Sequence, residues 1–147
     1  ELDKNNFSKG KAVSPSLPRE KRGIYWGYQT RFAPSISDVF AQSPYKNGYD
    51  CTIGTSERGN QTIDDNDFTI PKFEHLLVVL GGVQGLEACV ENDETLDIAG
   101  SETNKLFDIW LNTCPEQGSR TIRTEEAIMI SLARLQPFIK ENKSHFL

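Results

Sequence analysis

The chain is predicted to be an α/β protein with a mostly parallel sheet and flanking helices. Three observations in its 147 residues carry that expectation. "HLLVVLGG" (His75–Gly82) is apolar without alternation, as expected of a central strand covered on both faces. Strand-like and helix-like segments alternate along the chain, the order expected of a parallel sheet with crossover helices. The strand-like segments end in loops rich in glycine or small hydroxyl residues: "GTSERG", "GGVQG" and "NTCPEQGSRTIR".

The elements follow in order. "GIYWGYQTRFA" (Gly23–Ala33) is aromatic-rich and loosely alternating, which predicts a strand. Its Tyr25, Trp26 and Tyr28 are candidates for stacking on bases or for packing in a core or a dimer. "SISDVFAQ" (Ser35–Gln42) offers Ser35 or Ser37 as a cap ahead of Ile36, Val39 and Phe40, so a short helix is expected. "YDCTIGT" (Tyr49–Thr55) is a short strand, and Ser56 to Pro71 is a polar loop. After the apolar strand His75–Gly82 comes a short helix, "QGLEACVEN" (Gln84–Asn92), then an apolar strand, "LFDIWLNT" (Leu106–Thr113). Thr124–Asn142 is a helix in which Ala127, Ile128, Ile130, Leu132, Leu135 and Ile139 form a broad apolar face. Glu125 and Glu126 complement the dipole of its first turn. Pro137 marks a kink or an end.

Length gives about one domain. The formal net charge is −5, but it is unevenly spread. Acidic residues gather in Asp64–Asp67 and Glu91–Asp97, both expected to be solvated loops. Basic residues gather in the opening stretch (Lys9, Lys11, Arg19, Lys21, Arg22) and in Arg120–Arg123. A local basic face for nucleic acid is therefore compatible with the acidic total. No apolar run approaches the ~18 residues of a membrane helix. Cys51, Cys89 and Cys114 are odd in number, widely spaced and without a CxxC, which argues against a disulfide framework and against zinc, and for a reducing, intracellular compartment. His75 and His145 share no pattern with a partner, and His75 is given no role. The chain does not begin with Met and opens on a polar, Pro-containing stretch, so it is expected to be a segment of something longer.

In open parallel sheets ligands sit outside the carboxyl ends of the strands, where the three loops fall. "GGVQG" lacks the GxGxxG spacing of a dinucleotide site, and no GK[ST], HExxH or Ser-His-Asp set is present. Arg120 and Arg123, beside a glycine-broken turn and ahead of a helix N-terminus at Thr124, make an anion-binding floor.

The ordered series "YDCTIGTSERG", "HLLVVLGGVQGLEA" and "LFDIWLNTCPEQGSRTIRTEEAI" resembles the three knot-forming segments of the SPOUT methyltransferases, trefoil-knotted α/β enzymes that use S-adenosylmethionine. "GSRTIRTEEA" (Gly118–Ala127) resembles the G-x-R-I-L-R-T-E-T-A motif of the bacterial uridine-N3 rRNA methyltransferase branch, matching at Gly118, Arg120, Arg123, Thr124, Glu125 and Ala127. The middle segment departs from that branch: its G-P-E-G-G-F loop is Gly81 to Leu86 here, with Val83 at the acidic position. From about Val13 to Pro137 the chain is more similar to a SPOUT family of eukaryotes and archaea that carries an OB-like insert.

That resemblance implies a deep trefoil knot toward the C-terminus. It implies residues 1–22 as the tail of the upstream insert and 23–142 as the C-terminal portion of the SPOUT domain, with its N-terminal part lacking, and 143–147 as a tail. It implies S-adenosylmethionine as cofactor, ribosomal RNA as partner, a homodimer, neither metal nor membrane, and a nuclear or nucleolar setting in a eukaryote. Thr55, Leu80, Gly81, Gly82, Gly85, Asn112, Gly118, Thr121, Ile122 and Thr124 would hold the cofactor, with Gly118 permitting a tight turn and Ile122 forming an apolar wall. Arg120 or Arg123 would stabilise charge developing on a uracil ring, and Glu57 or Glu125 would accept the proton. Arg58 and Arg120 would contact RNA. Glu87 reads equally as a helix-surface residue or a ligand. The alternative is a non-catalytic knotted dimer that binds RNA or assembly partners, including at the spindle or kinetochore.

Overall fold

The computed structural model describes residues 13–14, 17–23 and 29–144. The chain divides into two compact units, Glu1–Phe32 and Ala33–Leu147. In the first, α1 (Leu17–Arg22) is a single short helix. The predicted aromatic strand falls largely on residues 24–28, which lie outside the described residues, and residues 29–33 adopt no regular structure.

The second unit contains α2 (Ile36–Ala41), β1 (Cys51–Thr55), β2 (Gln61–Thr62), β3 (Leu76–Val79), α3 (Gly85–Glu91), a 3-10 helix (Gly100–Leu106), β4 (Ile109–Asn112) and α4 (Thr124–Asn142). Ser35 is the cap of α2, its hydroxyl accepting from the Asp38 amide at 3.2 Å. The four strands form one parallel sheet in the order β2-β4-β1-β3. Alternate side chains supply two cores, one on each face. Cys51, Ile53, Ile109 and Leu111 pack with Leu135 of α4, whereas Trp110 packs with Ile36, Leu86, Val90 and Phe107. Burial pushes the Cys51 thiol up to about 11, and the nearby Asp108 and Asp50 charges push the same way.

Several expectations are corrected. The apolar run at His75–Gly82 forms β3 at an edge of the sheet, not its centre. An unbroken apolar run says nothing of how many strands pair alongside, and the four β3 residues are half-buried; β1 and β4 take the inner places. A short strand, β2, lies inside the predicted polar loop, and the start of the predicted Leu106–Thr113 strand belongs to the 3-10 helix. Helix α4 runs through Pro137 to Asn142. Its broad apolar face is only partly covered: Leu135 is fully buried, while Ile128 and Leu132 are 40% and 43% exposed. The acidic stretch Glu91–Asp97 is not wholly solvated. Asp93 is buried, accepting hydrogen bonds from the Ser37 hydroxyl (2.6 Å), the Thr95 hydroxyl (2.6 Å) and the Ser37 amide (2.8 Å), which hold its carboxyl well below the usual carboxylate range.

One crossing shapes the end of the sheet. Leu111 pairs with Thr55 on one side and with Gln61 on the other. Residues 56–60 therefore pass from one flank of β4 to the opposite flank. The Ser56 amide donates to the Leu111 carbonyl (3.0 Å), and beyond the crossing the Ile63 amide donates to the Asn112 carbonyl (3.1 Å). Gly59 makes the closest pass: a Cβ there would stand 2.2 Å from the Asn112 nitrogen, which no side chain can do.

Candidate active site

Because the strands are parallel, the residues after β1, β3 and β4 emerge at the same end of the sheet. They enclose a cavity of about 410 Å³. Thr55, Glu57 and Arg58 line it from the first loop, and Leu80, Gly81, Gly82 and Gly85 from the second. Asn112, Arg120, Thr121, Ile122 and Arg123 line it from the third. Ala127, Ile130 and Ser131 of α4 add a wall, where Ser131 and Thr113 form a buried hydroxyl pair at 2.8 Å.

Side chains tie the loops to one another. The Thr55 hydroxyl donates to the Val79 carbonyl (3.0 Å), and the Thr124 hydroxyl to the Gly81 carbonyl (3.2 Å). Asn112 donates through Nδ2 to the Glu57 carbonyl (3.1 Å) and accepts through Oδ1 from the Cys114 amide (2.9 Å). The third loop is braced from within, Gln117 donating to the Ser119 carbonyl and Ser119 to the Thr121 carbonyl. Gly85 has φ +80°, a left-handed conformation suited to glycine, and a Cβ on Gly81 would approach its carbonyl carbon to 2.7 Å.

The charge of the cavity is uncommitted. Arg58, Arg120 and Arg123 are all exposed, and none is paired with a carboxylate; among the described residues the ion pairs are Lys105–Glu102 and Arg134–Asp64. Glu126 accepts from the Arg123 amide at 3.0 Å. The Arg123 guanidinium has donors only and cannot return that bond to the helix, so its charge stays available.

Not every expected residue lines the cavity. Thr124 braces Gly81 from outside the lining. Gly118 is exposed, also outside the lining, and a Cβ there would meet open space, so no tight turn demands glycine at that point. Glu125 is turned away. On α4 the cavity wall is Ala127, Ile130 and Ser131, spaced three and four residues apart, whereas Glu125 shares its face with the exposed Ile128, Met129 and Leu132. The second carboxylate of the cavity, beside Glu57, is Glu87. Glu87 is a residue the sequence offers as ligand or helix surface, whereas Gly59, Thr113 and Ser131 are not among those it points to. Gly59 ends the "GTSERG" loop, while the hydroxyl pair joins two elements and leaves no local signal. Among the described residues no three His, Cys, Asp or Glu side chains gather as a metal site, and no helix is long and apolar enough to cross a membrane.

A glycine-lined, arginine-edged crevice at the carboxyl end of a parallel α/β sheet occupies the place where proteins of this architecture bind ligands. Comparison with known proteins is more specific. A model of the family described as "Putative RNA methyltransferase" matches residues 1–135, and the chain belongs to that family. The chain is 58% identical over 128 residues to the 28S rRNA (uridine-N(3))-methyltransferase of Homo sapiens, covering 87% of this chain and 33% of the relative. The mouse protein of the same name is 57% identical over 129 residues, covering 88% and 32%. That of Drosophila melanogaster is 51% identical over 132 residues, covering 87% and 26%. The chain thus spans about a third or less of the length of these relatives.

Proposed function

We propose that this chain is the cofactor-binding and RNA-contacting part of a methyltransferase that uses S-adenosylmethionine to methylate N3 of a uridine in ribosomal RNA. One observation carries the reading: three loops from separate stretches of sequence converge on one cavity edged by three unpaired arginines. The names of the human, mouse and fly relatives supply the reaction and the target class.

The lining fits such a cofactor. Leu80, Ile122 and Ile130 offer apolar surface to a flat heteroaromatic ring, and Gly81, Gly82 and Gly85 leave their backbone open to close approach. When bound, S-adenosylmethionine supplies an electrophilic methyl group. Thr55, Asn112 and Thr121 hold it beside these residues, and Thr124 fixes the glycine loop. Arg123 stabilises the negative charge that develops on the uracil ring. Arg58 and Arg120 hold the adjoining phosphates, a contact weakened by salt. Glu57 is one candidate to receive the N3 proton.

Further features belong to the same reading. The passage of residues 56–60 across β4 supports a trefoil knot in this portion of the chain. Residues 1–22 then lead in from an upstream OB-like insert, 23–142 form the SPOUT portion and 143–147 a tail. The exposed Ile128, Met129 and Leu132 of α4 support a homodimer. A ribosomal RNA substrate calls for an intracellular protein, nuclear or nucleolar in a eukaryote. Calorimetry with S-adenosylhomocysteine tests the reading: one micromolar site per chain is expected, together with 3-methyluridine in treated 28S rRNA by nucleoside mass spectrometry. No heat at several hundred micromolar ligand rejects it.

A further inference from the structure

Methylation at uridine N3 displaces a proton, and something in the cavity must take it. We infer that Glu87 is the group that does, an inference that rests on the proposed reaction. Arginine has no free lone pair to offer, and the carboxylates that line the cavity are Glu57 and Glu87. They are held very differently. Glu57 is exposed on the crossing segment, where only its backbone carbonyl is engaged, by Asn112. Glu87 is half-buried in α3, immediately after the glycine loop. Its Oε2 overhangs Gly85, so closely that a Cβ on Gly85 would lie 2.5 Å from it. Gly85 belongs to the Gly81–Gly85 stretch that the proposed cofactor rests on. The Glu87 carboxylate thus lies against that loop and lines the cavity, with neither arginine nor lysine paired to it among the described residues. A proton acceptor must be within hydrogen-bond reach of the reacting atom, and a carboxylate tethered by a helix over the loop keeps that position more closely than one on an exposed crossing.

The N3–H bond breaks, its proton passing to a Glu87 oxygen and its electron pair staying on N3. That pair forms the new N–C bond to the methyl group. The electron pair of the broken S–C bond stays on sulfur and cancels its positive charge. Arg123 faces the uracil while its charge is greatest, and Glu87 afterwards returns the proton to water.

The test is Glu87→Gln, with Glu87→Asp and Glu57→Gln alongside, on full-length protein with 28S rRNA transcript. At neutral pH Glu87→Gln is expected to lower kcat about 100-fold or more. The Kd for S-adenosylhomocysteine and for the transcript should move less than threefold, and the melting temperature should hold. The deficit should narrow as pH rises toward the range in which uridine N3 ionises unaided, and Glu87→Asp should recover part of the rate. Three outcomes overturn the assignment: kcat retained within threefold, a tenfold loss of S-adenosylhomocysteine affinity that accounts for the rate, or a larger kcat loss from Glu57→Gln. Failure of the underlying reading looks different, because wild-type protein would then neither bind S-adenosylhomocysteine nor form 3-methyluridine.

Discussion

At the N-terminal end of the sheet, Asp108 accepts from the amide and the hydroxyl of Thr52, both at 2.8 Å, and the Asp108 amide returns a bond to that hydroxyl at 3.0 Å. Asp50 accepts from the Glu74 and His75 amides at 2.8 and 2.7 Å. At the C-terminal end, three guanidinium groups stand around a cavity without a carboxylate partner. The carboxylates of one end hold strands in register. At the other end the hydroxyl and amide groups brace the loops, and the three arginine charges stay without an ion-pair partner among the described residues. A charge without a partner contributes little to stability, so the difference separates residues kept for the fold from residues free to meet a ligand.

The largest expected effect lies at the C-terminal end. Arg123→Ala should reduce methyl transfer by about 100-fold or more, the cost of losing one charge-stabilising donor. S-adenosylhomocysteine affinity and the melting temperature should barely move. A matching loss of thermal stability would make Arg123 structural and erase the contrast. Gly59→Ala should be nearly as severe in another currency: with a Cβ 2.2 Å from the Asn112 nitrogen, the crossing cannot close. A loss of about 3 kcal/mol or more is expected by urea unfolding, and wild-type stability in that variant would contradict the crossing.

Asp108→Ala tests the N-terminal end. It leaves the Thr52 amide and hydroxyl without their acceptor and should cost about 2 kcal/mol in the same assay, while S-adenosylhomocysteine binds the folded fraction with unchanged affinity. The smallest effect is acid sensitivity. Hydrogen bonds from the Glu74 and His75 amides lower the Asp50 carboxyl, and the Thr62 amide and hydroxyl lower that of Asp65, each from an ordinary 3.8. The Ser37 hydroxyl, the Thr95 hydroxyl and the Ser37 amide lower that of Asp93 further. Folded values below the unfolded one mean stability fully present above about pH 4 and lost as pH falls through the depressed range. Melting temperature should be flat from neutral pH to about pH 4 and then drop, less so in Asp93→Asn. An unaltered acid profile in that variant would remove Asp93 from the account.

The loops of the cavity are legible in the sequence because their signals are local. Glycines in "GGVQG" and the two arginines of "GSRTIR" mark close backbone approach and a local concentration of positive charge without reference to any other segment. Thr55, Leu80, Asn112 and Ile122 then meet because parallel strands bring their carboxyl ends together. Glu125 and Glu87 illustrate the opposite case. Both follow a loop of the cavity in the first turn of a helix, and only the helix rotation turns one away and the other in.

The sequence by itself determined the α/β alternation, the Ser35 cap of α2 and the loop chemistry, since each depends on side chains within a few residues of one another. Tertiary structure alone decided that β1 and β4 are inner strands and β3 lies at an edge, that residues 56–60 cross β4 at Gly59, and that α4 covers its core side with Leu135 while Ile128 and Leu132 face outward. Strand order and helix rotation are fixed by which distant apolar surfaces bury one another most completely, and periodicity along the chain carries no record of that choice.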